Sequence, residues 1–439
     1  MIWRRSFWLL VLCSSCLACV GVEDSAASEP DAEAYTWLDD DTLAGQCLNF
    51  SPREKSKFRQ GGSLLQLRPV ALPRDEWLLQ NSKGESLDHF GWPVSVQVDN
   101  SIFVFYIRIP AHGDFEEFHK AAVALSTDGG QTFRPLAGLE KSALDMLDPD
   151  WHQYRPATPR THMGNWGNAA AFVDGRLVVT NFRGVYRSDD KGRSWTLLKS
   201  AGLPAQMPTF ANWGQCPRLL VHPKKGIVSI GATIDESLLF RSSLDYGETW
   251  TEEVVHTGEP LQEPAGTIVL GKLVLMPRHN RERWTQFWSD GDWLPLKSAR
   301  TNITPGERDT TDVVYNPVSQ RIEAVVTNRI GGGPGSETDN CMTINLWSIA
   351  PTDLMKGKSD WRFDGTLVRS EGREHDTSNV LGLDRDGMHP GGTFIDVRAG
   401  YQYIYVYLGF FEGPSGIFQV KRTLDTAALR EYLLDREVR

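Results

Sequence analysis

The sequence predicts an all-β protein, a six-bladed β-propeller of four-stranded blades with a short C-terminal helix. A turn of the form Ser-x-Asp-x-Gly-x-Ser/Thr-aromatic occurs three times, as STDGGQTF from Ser126, SDDKGRSW from Ser188 and SLDYGETW from Ser243. The copies stand 62 and 55 residues apart, a period suited to one four-stranded blade per repeat. Around them, short apolar runs recur with the β-branched and aromatic bias of strands. Composition agrees: 40 glycines, 24 prolines and 15 tryptophans suit short strands joined by tight turns.

The first 18 residues read as a secretory leader. MIWRRSFWLLVLCSSCLAC has a basic start, an apolar run from Phe7 to Leu12 and then small residues, and the run is too short to span a bilayer. The stretch Cys16-Leu17-Ala18-Cys19 resembles a bacterial lipobox, which makes Cys19 the expected lipidation site; Cys16 is a second position, and plain secretion is the alternative. Residues 19–45 are polar and acidic and read as a tether that becomes ordered near Trp37. Residues 46–439 form the propeller domain with its C-terminal helix. Cys47, Cys216 and Cys341 remain beyond the leader, so at most one disulfide forms.

SLLQLRPVA (63–71) can supply the outer strand that closes the ring, or belong to a seventh blade. Six units follow. Their first strands are PVSVQV (93–98), NAAAFV (168–173), PRLLVH (217–222), GTIVLG (266–271), TDVVYN (311–316) and GGTFIDV (391–397). Second strands follow after a turn, as SIFVFYIR, RLVVTNFR, GIVSIGAT, KLVLMPR, RIEAVVTNR and QYIYVYLG. Third strands are less regular. The repeated turn falls between strands three and four. There its Ser and Asp side chains bond neighbouring N–H groups, its Gly supplies positive φ and its aromatic packs between sheets. That makes it a structural staple. Units four and five keep only remnants, SDGDW (289–293) and KSDWRF (358–363). The tail from Thr423 reads as a helix capped by Thr426 or Asp425, with Leu429, Leu433 and Leu434 on one side, packed under the propeller.

The three turns resemble Asp boxes, and a chain of such units resembles the sialidase superfamily of β-propellers. The resemblance implies a ligand face where first strands begin and second strands end, opposite the repeated turns. Four units end strand two in arginine: Arg108, Arg183, Arg278 and Arg329. Guanidinium forks match carboxylates, so these four are candidate substrate-binding residues. Trp92, Trp166 and Trp213, in GWP, NWGN and NWGQ, stand at first-strand starts, where they can stack on sugar rings or plug the channel. The implied partner is an acidic glycan carrying sialic or uronic acid. The sequence departs from the sialidase pattern at two places. Gly91-Trp92-Pro93 stands where the family has Arg-Ile-Pro, and His389-Pro390-Gly391-Gly392 where it has its nucleophilic tyrosine.

Two chemistries fit. A glycoside hydrolase uses paired carboxylates, for which Asp114 and Asp312 are the candidates, with Glu263 and Asp309 behind them. Asp114 resembles in placement the family's acid/base aspartate. A polysaccharide lyase neutralises the uronate with arginine and uses His and Tyr as base and acid; His162, His389 and Tyr407 are its candidates, and His89 and His279 share the face. The alternative is a glycan-binding or surface scaffold propeller without catalysis. No cofactor or metal is expected, and a monomer is. A net charge of -10 argues against nucleic acid as a partner, and the leader leaves an N-terminal lipid as the one expected membrane link. GGGPG (331–335) lacks the Lys-Ser/Thr tail of a phosphate loop.

Overall fold

The computed structural model describes residues 65–71, 89–109, 120–135, 169–181, 184–198, 218–232, 238–255, 262–279, 282–288, 295–303, 311–328, 343–369, 385–410 and 415–437. For some of these, Arg278, His279 and His389 among them, only the backbone is described.

The first strand, β1 (Leu65–Ala71), belongs to the last blade. Blade one is β2 (His89–Val98), β3 (Ser101–Ile109), β4 (Lys120–Ser126) and β5 (Arg134–Pro135); blade two is β6 (Ala169–Val173), β7 (Arg176–Asn181), β8 (Gly184–Ser188) and β9 (Thr196–Leu198). Blade three is β10 (Leu220–His222), β11 (Gly226–Ala232), β12 (Leu238–Ser243) and β13 (Thr251–Val255); blade four is β14 (Gln262–Val269), β15 (Lys272–His279), β16 (Glu282–Trp288) and β17 (Pro295–Arg300). Blade five is β18 (Thr311–Asn316), β19 (Arg321–Asn328), β20 (Thr343–Ile349) and β21 (Arg362–Arg369). Blade six is β22 (Arg385–Asp396), β23 (Tyr401–Phe410) and β24 (Ser415–Thr423), completed on its outer side by β1.

β1 runs antiparallel to β24, with Leu65 opposite Arg422 and Ala71 opposite Ile417. Of the stretch 63–71, the described residues 65–71 therefore close blade six and do not start a seventh. The ring itself is visible in the first strands. β2 touches β6, β6 touches β10, and the chain of neighbours runs through β14, β18 and β22 back to β2. Six blades close it.

Each blade is buried on both faces, which is why the strands read as nearly continuous apolar runs. Along β3, Phe103 and Phe105 pack toward Leu177, Val179 and Tyr186 of blade two. Their alternates Ile102, Val104 and Tyr106 pack toward Tyr403, Tyr405 and Tyr407 of blade six. A period of two thus fills both inter-blade layers at once.

The repeated turn has the same hydrogen-bond scheme in all three copies but for one bond: the Glu248 N–H of the third goes to the Asp245 carbonyl at 3.4 Å and not to its side chain. Ser126 Oγ accepts the Gly130 N–H at 2.8 Å and donates to Asp128 Oδ1 at 2.7 Å. Asp128 Oδ1 accepts the N–H of Gln131 and of Thr132, each at 2.9 Å. Ser188 with Asp190, and Ser243 with Asp245, repeat the scheme. The Ser194 hydroxyl and N–H, with Ser188, hold the Asp190 carboxyl down at about 2. In Asp128 and Asp245 burial pushes the carboxyl up, but the same set of hydrogen bonds outweighs it and both sit below the ordinary value. The glycine of each turn has φ between 80° and 94° and rests on the preceding blade. A Cβ on Gly192 would meet the Phe103 ring at 2.6 Å, and one on Gly247 would meet Val185 at 2.8 Å. The turn is therefore also a clamp between blades.

Blade five replaces the turn with a short helix, α1 (Pro351–Met355), yet keeps the buried aromatic as Trp361, whose backbone N–H donates to Asn302 Oδ1 at 2.7 Å. The C-terminal helix, α2 (Thr426–Glu437), is capped by Asp425, whose Oδ1 accepts the N–H groups of Ala427 and Ala428 at 2.9 Å. Leu429 packs on Gly400, but Leu433 and Leu434 are exposed. The expected three-leucine stripe is thus only partly used, because the helix touches the propeller through its first turns.

Candidate functional site

First strands start, and second strands end, on the face opposite the repeated turns. Three first strands carry a β-bulge near that end. In β2, Gly91 pairs with Ile107 but Val94 with Phe105, so Trp92 and Pro93 together face Tyr106 alone. β14 does the same between Gln262 and Ala265, and β22 between Gly391 and Phe394. Bulges bend a strand and re-aim its side chains, and they recur beside sites.

The bulge in β2 places Trp92 at φ 50°, a left-handed backbone that costs a bulky residue on the order of 1–3 kcal/mol. The indole lies 5.1 Å from the Tyr407 ring and 6.3 Å from the His89 ring. His89 meets Tyr407 edge-on at 5.8 Å, and both are fully buried. The Gly91 Cα faces the Tyr407 ring, with room there for no more than an ordinary contact. Across the β22–β23 pairing, His389 stands directly opposite Tyr407. Phe90 pairs with Arg108, whose guanidinium lies 4.9 Å over the Phe90 ring; Arg108 is 8% exposed. Two histidine positions, a tyrosine, a tryptophan and an arginine thus gather where blades one and six meet.

A second cluster lies across the channel. Asp312, at the start of β18, is 0% exposed, and Arg218, just before β10, is 16% exposed. Arg218 Nη2 donates to both Asp312 oxygens, at 2.6 and 2.5 Å. Asp312 Oδ1 also accepts the Val313 N–H at 2.9 Å, and Oδ2 accepts the Thr393 N–H at 2.5 Å. Blade three does not adjoin blade five, so Arg218 reaches its partner over the channel. Next to it, Ser95 donates to the Gly392 carbonyl and locks β2 to β22.

Of the residues expected from sequence, the structure brings Trp92, Tyr407, Arg108 and the His389 position together and puts Asp312 on the channel. Arg278 lies near the end of β15, paired through its backbone with Gln262 and Arg283. Asp114, His162, Arg183, Arg329, Trp166, Trp213 and Cys19 lie outside the described residues, as do the leader, the tether, the three cysteines beyond it and the SDGDW remnant. Arg218 was not anticipated; its signal is a lone arginine set directly before the buried run Leu219-Leu220. Among the described residues no group of three His, Cys, Asp or Glu side chains could hold a metal, and no helix is long and apolar enough to cross a membrane.

No protein-family model matches the sequence, and no curated protein matches it. Solved structures do match in fold. A protein of unknown function from Dyadobacter fermentans aligns with a TM-score of 0.51 at 15% identity, over 82% of this chain and 99% of that one. The NanB sialidase of Streptococcus pneumoniae aligns with a TM-score of 0.51 at 10% identity, over 81% of this chain and 71% of that one. Trypanosoma rangeli sialidase aligns with a TM-score of 0.48 at 14% identity, over 85% of this chain and 61% of that one. The fold is a sialidase-like β-propeller.

Proposed function

We propose that this sialidase-like propeller is an exported protein acting on an acidic glycan, sialic- or uronic-acid-containing, with its site where blades one and six meet on the face opposite the repeated turns. The observation that supports this reading is the gathering of His89, Trp92, Tyr407 and the His389 position beside Arg108. Fold alone does not supply an activity, so the chemistry is argued from these groups.

They suit β-elimination better than hydrolysis. Arginine neutralises the uronate carboxylate. A histidine removes the C5 proton, the electron pair forms the C4–C5 double bond, and the C4–O bond breaks as tyrosine protonates the leaving oxygen. Trp92 supplies a stacking surface. In the hydrolase reading Asp114 and Asp312 act as the carboxylate pair; Asp312, with both oxygens engaged by Arg218 and two N–H groups, is poorly free to do so. The full burial of Tyr407 favours the second reading, a glycan-binding propeller without catalysis.

The test incubates the mature chain with sialylated and uronate-containing glycans and reads reducing ends together with ultraviolet absorbance. New ends with new absorbance support elimination, and Tyr407→Phe should then lower kcat by about 10²-fold or more. Ends without absorbance move the reading to Asp114 and Asp312. Binding with neither signal leaves the scaffold reading, and neither binding nor turnover overturns the proposal.

A further inference from the structure

We propose that the face carrying the repeated turns is a membrane-facing surface, which seats on anionic lipid headgroups and holds the candidate glycan site away from the bilayer. The chain path comes first. Leu65 pairs with Arg422 at the end of β24, and Arg68 of β1 donates to the Gln131 carbonyl inside the first repeated turn at 3.1 Å. The polypeptide therefore joins the propeller on the repeated-turn face.

The patch is apolar with lysines at its edge, and it carries acidic groups too: Asp245 follows Leu244, and Asp353 of α1 pairs with Lys358 at 3.2 Å. Leu244, in the third repeated turn, is 77% exposed; Leu270, at the β14–β15 hairpin tip, is 79% exposed; Met355, ending α1, is 47% exposed. They are joined in space. Gly226 abuts Ser243 and Leu244, and Gly271 faces Pro223 of that same β10–β11 hairpin. Leu270 and Met355 border one apolar pocket of about 130 Å³ with Val274, Ile322 and Leu354 beneath and Lys272 beside it. Lys224 and Lys225 follow Pro223, and Lys356 follows Met355.

Leu270 is also misplaced for a solvated turn. It has φ 51° and is followed by Gly271 at φ 76°. The equivalent hairpin of blade two holds Asp174 and Gly175 at φ 49° and 81°, and that of blade one holds Asp99 at φ 53°. Asp tolerates the left-handed region and likes water; leucine does neither. A leucine held outward there, next to Met355 and with Lys272 on the same pocket, fits insertion at a headgroup boundary, where apolar area and cationic charge act together.

The test uses the full mature chain carrying Cys19→Ser, which removes the acyl site. It is sedimented with vesicles of phosphatidylethanolamine and phosphatidylglycerol, and with phosphatidylcholine alone. The chain is expected to sediment with the anionic vesicles, and Leu270→Asp with Met355→Ser should cut the bound fraction about tenfold. Leu270→Asp alone restores the residue type of the sibling turns, so its fold is secure and its binding should still fall several-fold. No binding to either vesicle, binding unchanged in both variants, or burial of the same residues in a concentration-dependent dimer overturns the proposal. Glycan turnover or binding, measured on the same variants in solution, should be unchanged and reports separately on the glycan reading.

Discussion

At the residue scale, the Arg218–Asp312 pair shows how a buried charge is held. A carboxylate at 0% exposure survives only with its oxygens satisfied, and Arg218 with the Val313 and Thr393 N–H groups does this. Arg218→Met should strand that charge and lower stability by about 3–5 kcal/mol in urea unfolding. Adding Asp312→Leu should recover most of the loss; no recovery would mean that Arg218 matters through packing alone. Trp92 carries the opposite case, a strained backbone beside a candidate site. Because its φ is 50°, Trp92→Gly should be more stable than Trp92→Ala by about 1 kcal/mol, while both lose glycan binding. Equal stability would show that the left-handed conformation relaxes once the ring is gone. The site was half legible at this scale. Arg108, Tyr407 and Trp92 announce themselves by repeat position. Arg218 does not, because its partner is 94 residues away, in a blade that does not adjoin its own, and no local period joins them.

At the element scale, the strands themselves were legible because burial on both faces leaves long apolar runs. Their starts were not. The sequence starts these first strands at Pro93 and Gly391, with Gly91-Trp92 and His389-Pro390 just ahead of them, yet β2 reaches back to His89 and β22 to Arg385, carried through those residues by bulges. The repeated turn was legible in full, since every group it uses lies within eight residues. It also sets a pH dependence. The Asp190 carboxyl sits at about 2 when folded, below its ordinary 3.8, so its contribution is complete above about pH 4 and is lost as pH falls through about 2. Asp128 and Asp245 shift in the same direction. The urea midpoint of Asp190→Asn should therefore lie below that of the parent chain at neutral pH, and the gap should close on acidification. A gap that persists at the lowest pH would assign the loss to geometry and not to charge.

At the scale of the whole molecule, the ring is closed by a strand from the far end of the chain. Five blades take their strands from consecutive sequence, but blade six borrows β1 from before blade one. The pairing of β1 with β24 joins the beginning of the propeller to its end, and Val70 and Ala71 bury their side chains in the layer between blades one and six. That layer also holds Phe90, Tyr106 and Tyr407, so ring closure and the candidate site share one packing unit. Removing 65–71 would leave β24 as an unpaired edge, open to another chain. The truncated chain should melt at lower temperature, associate in a concentration-dependent way by light scattering, and lose glycan binding at temperatures where its far-ultraviolet spectrum is still that of the full chain. A truncated chain that stays monomeric and binds as the parent does would show that the contacts among the six innermost strands are enough to hold the ring shut.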